Sequence, residues 1–157
     1  MILMNIHSLA ESIVKKHHTR NPFEIINERN AILIYAPLVD VRGFYQYFQR
    51  NHLIYIDENL PDNEKTFVCA HELGHMLMHQ GENSVYMDTR TCFNTNKPEI
   101  EANTFAAELL IPDEIILENH NMTTEQLSRL FGYEKSLIDL SLKSYISLYY
   151  STNVCYD

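Results

Sequence analysis

Residues 60–82 read LPDNEKTFVCAHELGHMLMHQGE, and at their centre His71, Glu72, Leu73, Gly74 and His75 spell the pattern H-E-x-x-H. The Pro61-Asp62 start and the Gly81 stop bound a helix from Asp62 to about His79. Histidines four residues apart on a helix lie one turn above each other, so both imidazoles can reach a single Zn²⁺ at about 2.0–2.1 Å. Glu72 is turned about 100° from His71, which sets its carboxylate beside the open face of such a metal, as a general base and not as a ligand. Ala70, Leu73 and Leu77 share the opposite side of the wheel, so the helix can bury its back and present the site. Gly74 removes side-chain bulk between the histidines and permits close approach of a neighbouring backbone.

A catalytic zinc takes a third protein ligand and keeps one position open. The metzincin arrangement needs Gly at position 78 and His at 81, where this chain has Met78 and Gly81. The ligand must therefore come from elsewhere, and KPEIEANTFAAELLIP (97–112) is a second helix, beginning near Pro98 and ended by Pro112. Ala102, Phe105, Ala106, Leu109 and Leu110 make its apolar stripe, with Glu101 at the margin, where a side chain can point into a cleft. Glu101 is the expected third ligand. Glu108 shares that azimuth but lies about 10 Å further along the axis, and Glu99 projects from a different side. His79 is about 6 Å along the axis from His75, too far for a good tetrahedral site. It is assigned, with Asn103, to a supporting or cleft-lining place. No second cluster of His, Cys and carboxylate residues stands out along the chain, so one metal is expected. Tyr86, His79 and His120 are alternatives for a donor to a reaction oxyanion.

Working outward, Ile6, Leu9, Ala10, Ile13 and Val14 follow helical spacing over residues 5–18, and Asn21-Pro22 is an N-cap and first turn for a short second helix. AILIYAPL (31–38), GFYQYFQ (43–49) and HLIYIDE (52–58) read as strands, the last two pairing as a hairpin across Arg50 and Asn51. Either of those two could serve as an edge on which an extended peptide adds as a strand. Residues 80–97 are polar and irregular. Thr123 and Gln126 form a capping-box pattern, Gly132 breaks the chain, and Leu137 to about Tyr150 is a last helix. The expectation is one α+β domain over 1–157: N-terminal helices at 5–30, a core at 31–115 with a small, mostly antiparallel sheet of about three strands, and a helical tail at 121–150.

Composition narrows the function. The chain has 157 residues, 45% hydrophobic and 21% charged, enough to fold around its own core. A net charge of −9 offers no footprint for nucleic acid, and in the tail Arg129, Lys135 and Lys143 are matched by Glu125, Glu134 and Asp139. That argues against a DNA-binding factor. The start carries no basic region ahead of a long apolar run, so no secretory signal is read, and no stretch reaches membrane-spanning length. Cys69, Cys92 and Cys155 lack paired spacing, which suits reduced thiols and a cytoplasmic setting.

HELGHMLMH (71–79) followed by EIEANTFAAELLIP (99–112) resembles the ImmA/IrrE family of metallopeptidases, whose members join an H-E-x-x-H helix to a downstream E-x-N-x-F-A-x-x-L-L-x-P helix. The likeness spans about residues 20–115, and the tail from Thr123 to Tyr145 is similar to that family's helical end. It implies a zincin-like, gluzincin-type core with Zn²⁺ on His71, His75 and Glu101, and Glu72 as the catalytic base. It also implies a substrate. Members encoded by phages and mobile elements cleave or relieve a helix-turn-helix repressor, derepressing excision, lysis or stress genes, and with no repressor domain fused here the partner is expected to be a separate protein. The rival reading is a non-catalytic anti-repressor that holds the same zinc and acts by stoichiometric binding; the intact Glu72 favours chemistry.

Overall fold

The computed structural model describes residues 2–79, 84–87 and 97–153. Helices α1 (Ile2–His17) and α2 (Pro22–Glu28) lead into strands β1 (Ile32–Ala36), β2 (Val41–Phe48) and β3 (Asn51–Asp57), then α3 (Asp62–Met78), β4 (Ser84–Met87), α4 (Lys97–Leu110), α5 (Asp113–Glu118), α6 (Thr124–Phe131) and α7 (Lys135–Asn153). Among the described residues no helix is long and apolar enough to cross a membrane.

Local signals set most of these boundaries. Asn21 Oδ1 accepts from the Phe23 amide at 3.0 Å, with Pro22 in the first turn. Thr123 and Gln126 close the expected capping box, and Gly132, at φ 71°, ends α6 in the left-handed conformation. Helix α5 was not legible in the sequence: six residues after a proline are too few for an apolar period to declare itself.

The sheet departs from expectation in three ways. It has four strands in the order β1-β3-β2-β4, with β1 parallel to β3 and both other pairings antiparallel. The added strand, β4, comes from the stretch read as irregular, because four residues within a polar run show no alternation to count. The hairpin turns on Gln49 and Arg50, one residue earlier than expected, since Phe48 pairs with Asn51 and both turn residues have positive φ, 47° and 64°. That is the twist a two-residue hairpin loop demands, here without the usual Asn-Gly. Finally, β2 and β3 are the inner strands, so among the described residues the edge strands are β1 and β4.

Helix α3 lies between the sheet and α4 and is buried from Val68 to Met76. The main core joins Ile6, Ala10 and Ile13 of α1, Ile25 and Ile26 of α2, Tyr45, Ile54 and Ile56 of the sheet, Leu73 and Met76 of α3, and Phe105 and Leu109 of α4. A second core under the tail gathers Ala107, Ile111, Ile116, Leu127, Leu137 and Ile138. Helix α4 serves both cores, so Ala102–Leu109 are buried on every side and the helix has no single apolar stripe.

Two glycines permit the tight layering around α3. A Cβ on Gly74 would lie 3.2 Å from Ala102 Cα and from Phe105 Cδ1, so α3 and α4 touch at the position the sequence left bare. A Cβ on Gly43 of β2 would meet Val68 Cγ1 at 2.4 Å and the Tyr55 carbonyl oxygen at 2.7 Å, with Glu72 Cγ at 3.8 Å. Gly43 thus lets the sheet close directly onto the turn that carries Glu72. Cys69 is buried in the same layer, where desolvation and the neighbouring Glu72 charge push its thiol well up, making it an inert core residue. Cys92 and Cys155 lie outside the described residues.

Candidate metal centre

His71, Glu72 and His75 are all buried, at 0%, 0% and 1% exposure. They sit on the stretch of α3 enclosed by α4 and the sheet, so the site is walled in and not displayed on an open helix face as the helical wheel suggested. The two imidazoles meet edge to face, with their Nε2 atoms 3.1 Å apart. Asn103 of α4 sets the orientation of the first ring. Its Oδ1 accepts from His71 Nδ1 at 2.9 Å, which leaves Nε2 of a neutral ring with its lone pair facing inward.

The carboxylate brought to this pair is Glu99, not Glu101. Glu99 Oε2 lies 3.3 Å from His71 Nε2, and Oε1 lies 3.3 Å from His75 Nε2. Glu101 instead faces His79 Nε2 at 3.4 Å and Lys97 Nζ at 3.7 Å. The reason is the packing of α4. With both faces of the helix buried, the apolar stripe does not tell which side meets α3; that side is marked by Ala102, against Gly74, and Asn103, on His71. Glu99 lies three and four residues before them, on the same face, whereas Glu101 is turned about 200° from Glu99. The spacing E-x-x-A-N from Glu99 to Asn103 was the available signal.

Electrostatics reinforce the grouping. Burial lowers the His71 pKa, against the opposing pull of Glu99, and so favours the neutral ring. Burial alone would raise the Glu99 carboxyl, but its approach to His71 and His75 outweighs this and brings it down to about 2. Ligand atoms of His71, His75 and Glu99 all lie within 4.8 Å of one another. Two imidazole nitrogens and one carboxylate oxygen converging in a buried place form a donor set that fits Zn²⁺.

Of the other expected residues, Asn103 is where a supporting role requires it. His79 borders the site, its ring centroid 5.5 Å from that of His75. His120 is exposed at the end of α5, its Nδ1 donating to the Leu117 carbonyl at 2.9 Å, and so is removed from the centre. The side chain of Tyr86 lies outside the described residues. Glu108 is not at this centre either: it bonds His7 at 2.6 Å and groups with Asp113, a clustering that the expectation of one metal missed.

The model of the Peptidase_M78 family, described as the IrrE N-terminal-like domain, matches residues 26–143. "Uncharacterized immunity region protein 2" of Bacillus phage phi105 is 39% identical over 138 residues, covering 86% of this chain and 87% of its own length. "Metallopeptidase ImmA" of Bacillus subtilis (strain 168) is 29% identical over 139 residues, covering 85% of this chain and 81% of its own length.

Proposed function

The chain belongs to the peptidase family of the IrrE N-terminal-like domain, and from that membership we propose that it is a zinc-dependent endopeptidase acting on a helix-turn-helix repressor in the cytoplasm. The observation that carries the reading is the convergence of His71 Nε2, His75 Nε2 and the Glu99 carboxylate, with Glu72 on the same helical turn as the histidines. These three would hold the metal. When bound there, zinc supplies Lewis acidity towards water and towards a peptide carbonyl.

The chain's own residues do the rest. Asn103 holds His71 in the tautomer that turns Nε2 inward, and Gly74 lets α4 come close enough to deliver Asn103 and Glu99. Glu72, buried against the sheet beside Gly43, receives the proton of the attacking water and passes it to the amine that leaves. His79, held by Glu101, lines the same end of α3. The repressor is proposed on the likeness to a metallopeptidase called ImmA and to a phage immunity-region protein.

Incubation with the repressor encoded beside its gene, followed by mass spectrometry of the products, tests the substrate. Glu72→Gln tests the chemistry. It keeps shape and hydrogen-bonding reach but accepts no proton, so cleavage should fall about 10²- to 10⁴-fold while zinc and repressor binding persist. Relief of repression in cells by Glu72→Gln, equal to that of the unmutated chain, would refute hydrolysis and make this a binding regulator.

A further inference from the structure

His7 of α1, Glu108 near the end of α4 and Asp113 at the start of α5 stand 101 and 5 residues apart in sequence, yet each offers a ligand atom within 4.8 Å of the other two. His7 Nδ1 and Glu108 Oε2 are 2.6 Å apart, and the Glu108 side chain is only 5% exposed although it carries an ionisable group. A carboxylate is seldom buried so far without a cation or a strong donor. His7 and Asp113 are partly exposed, so the group is open to solvent on one side.

The charge around this group is lopsided. Burial raises the Asp113 carboxyl above its ordinary range, His7 pulls it back, and Glu108, Glu114 and Glu11 raise it further. Arg20, the cation nearest by contact, is directed elsewhere: its guanidinium donates to the Glu108 and Leu109 carbonyl oxygens at 3.0 and 3.3 Å and pairs with Glu11 at 2.6 Å. One imidazole thus faces two carboxylates, with two further acids nearby.

We propose that His7, Glu108 and Asp113 form a second divalent-cation site, separate from the histidine centre, that fastens α1 to the junction of α4 and α5. One nitrogen and two carboxylate oxygens suit a first-row transition ion such as Zn²⁺ better than Mg²⁺, which demands a near-ideal octahedron of oxygens. Replacing the proton between His7 and Glu108 by such an ion requires the two donors to part to about 3.0–3.4 Å, a side-chain adjustment only. Water on the open side completes the shell. The site lies about 13 Å along α4 from Glu99 and calls on none of the residues assigned to peptide hydrolysis.

The test is zinc stoichiometry on the full chain, by equilibrium dialysis against Zn²⁺ alone and metal analysis, with thermal melting alongside. The unmutated chain should hold about two zinc ions. Asp113→Asn, nearly isosteric and at a partly exposed position, should hold about one and retain its peptidase activity. His71→Ala with His75→Ala should keep the second ion, and added Zn²⁺ should raise its melting temperature; the further change Asp113→Asn should remove both effects. His7→Ala and Glu108→Gln should act like Asp113→Asn. A single ion in the unmutated chain that is lost in His71→Ala with His75→Ala, or two ions in Asp113→Asn, overturns the proposal and leaves the reading of the histidine centre untouched.

Discussion

Glu99→Ala removes the carboxylate that bridges the two histidine Nε2 atoms, each at 3.3 Å. Structural zinc sites of four ligands bind with about 10–16 kcal/mol, so one donor is worth about 3–4 kcal/mol, or about 10²- to 10³-fold in affinity. Among the described residues no other carboxylate groups with this histidine pair, so nothing replaces the lost donor. Glu101 is about 3 Å further along α4 and about 200° around it, directed to His79 and Lys97. Glu101→Ala should therefore change affinity less than about fivefold, the 0–1 kcal/mol of a partly exposed ion pair. Competition against a chromogenic chelator at fixed pH measures both variants, with circular dichroism to verify the fold and Asp113→Asn as background so that one site is titrated. If Glu101→Ala loses the metal and Glu99→Ala keeps it, the packing argument for α4 is wrong.

Asn103→Ala removes the acceptor that orients the His71 ring through Nδ1 and should weaken zinc binding about 10- to 100-fold without displacing a ligand, read in the same chelator titration. Gly43→Ala places a methyl well inside normal contact with Val68 and with the Tyr55 carbonyl, and the latter cannot yield without disturbing β3. The expected cost is about 1–3 kcal/mol, seen as a lower urea midpoint at unchanged slope. An unaltered midpoint would show that α3 does not press on β2 as described.

The pair His71 and His75, and the Glu72 carboxylate between them, could be read from the sequence because their grouping depends on spacing along one helix, and the helix imposes that geometry whatever surrounds it. The caps at Asn21, Thr123 and Gly132 were legible for the same reason, each being satisfied within a few residues. Gly74 declared a close contact, though not with what. The third member of the centre could not be read in this way. Whether Glu99 or Glu101 meets the histidines depends on how α4 is rotated against α3, and a helix buried in two cores carries apolar residues on every side, so its hydrophobic pattern no longer encodes that rotation. The order of the strands, which decides that β1 and β4 are the edges, depends on pairings between segments and not on any segment alone. The meeting of His7 with Glu108 and Asp113 is the extreme case: α1 must cross α4 before a histidine and a glutamate 101 residues apart become neighbours, and only the packed chain brings them together.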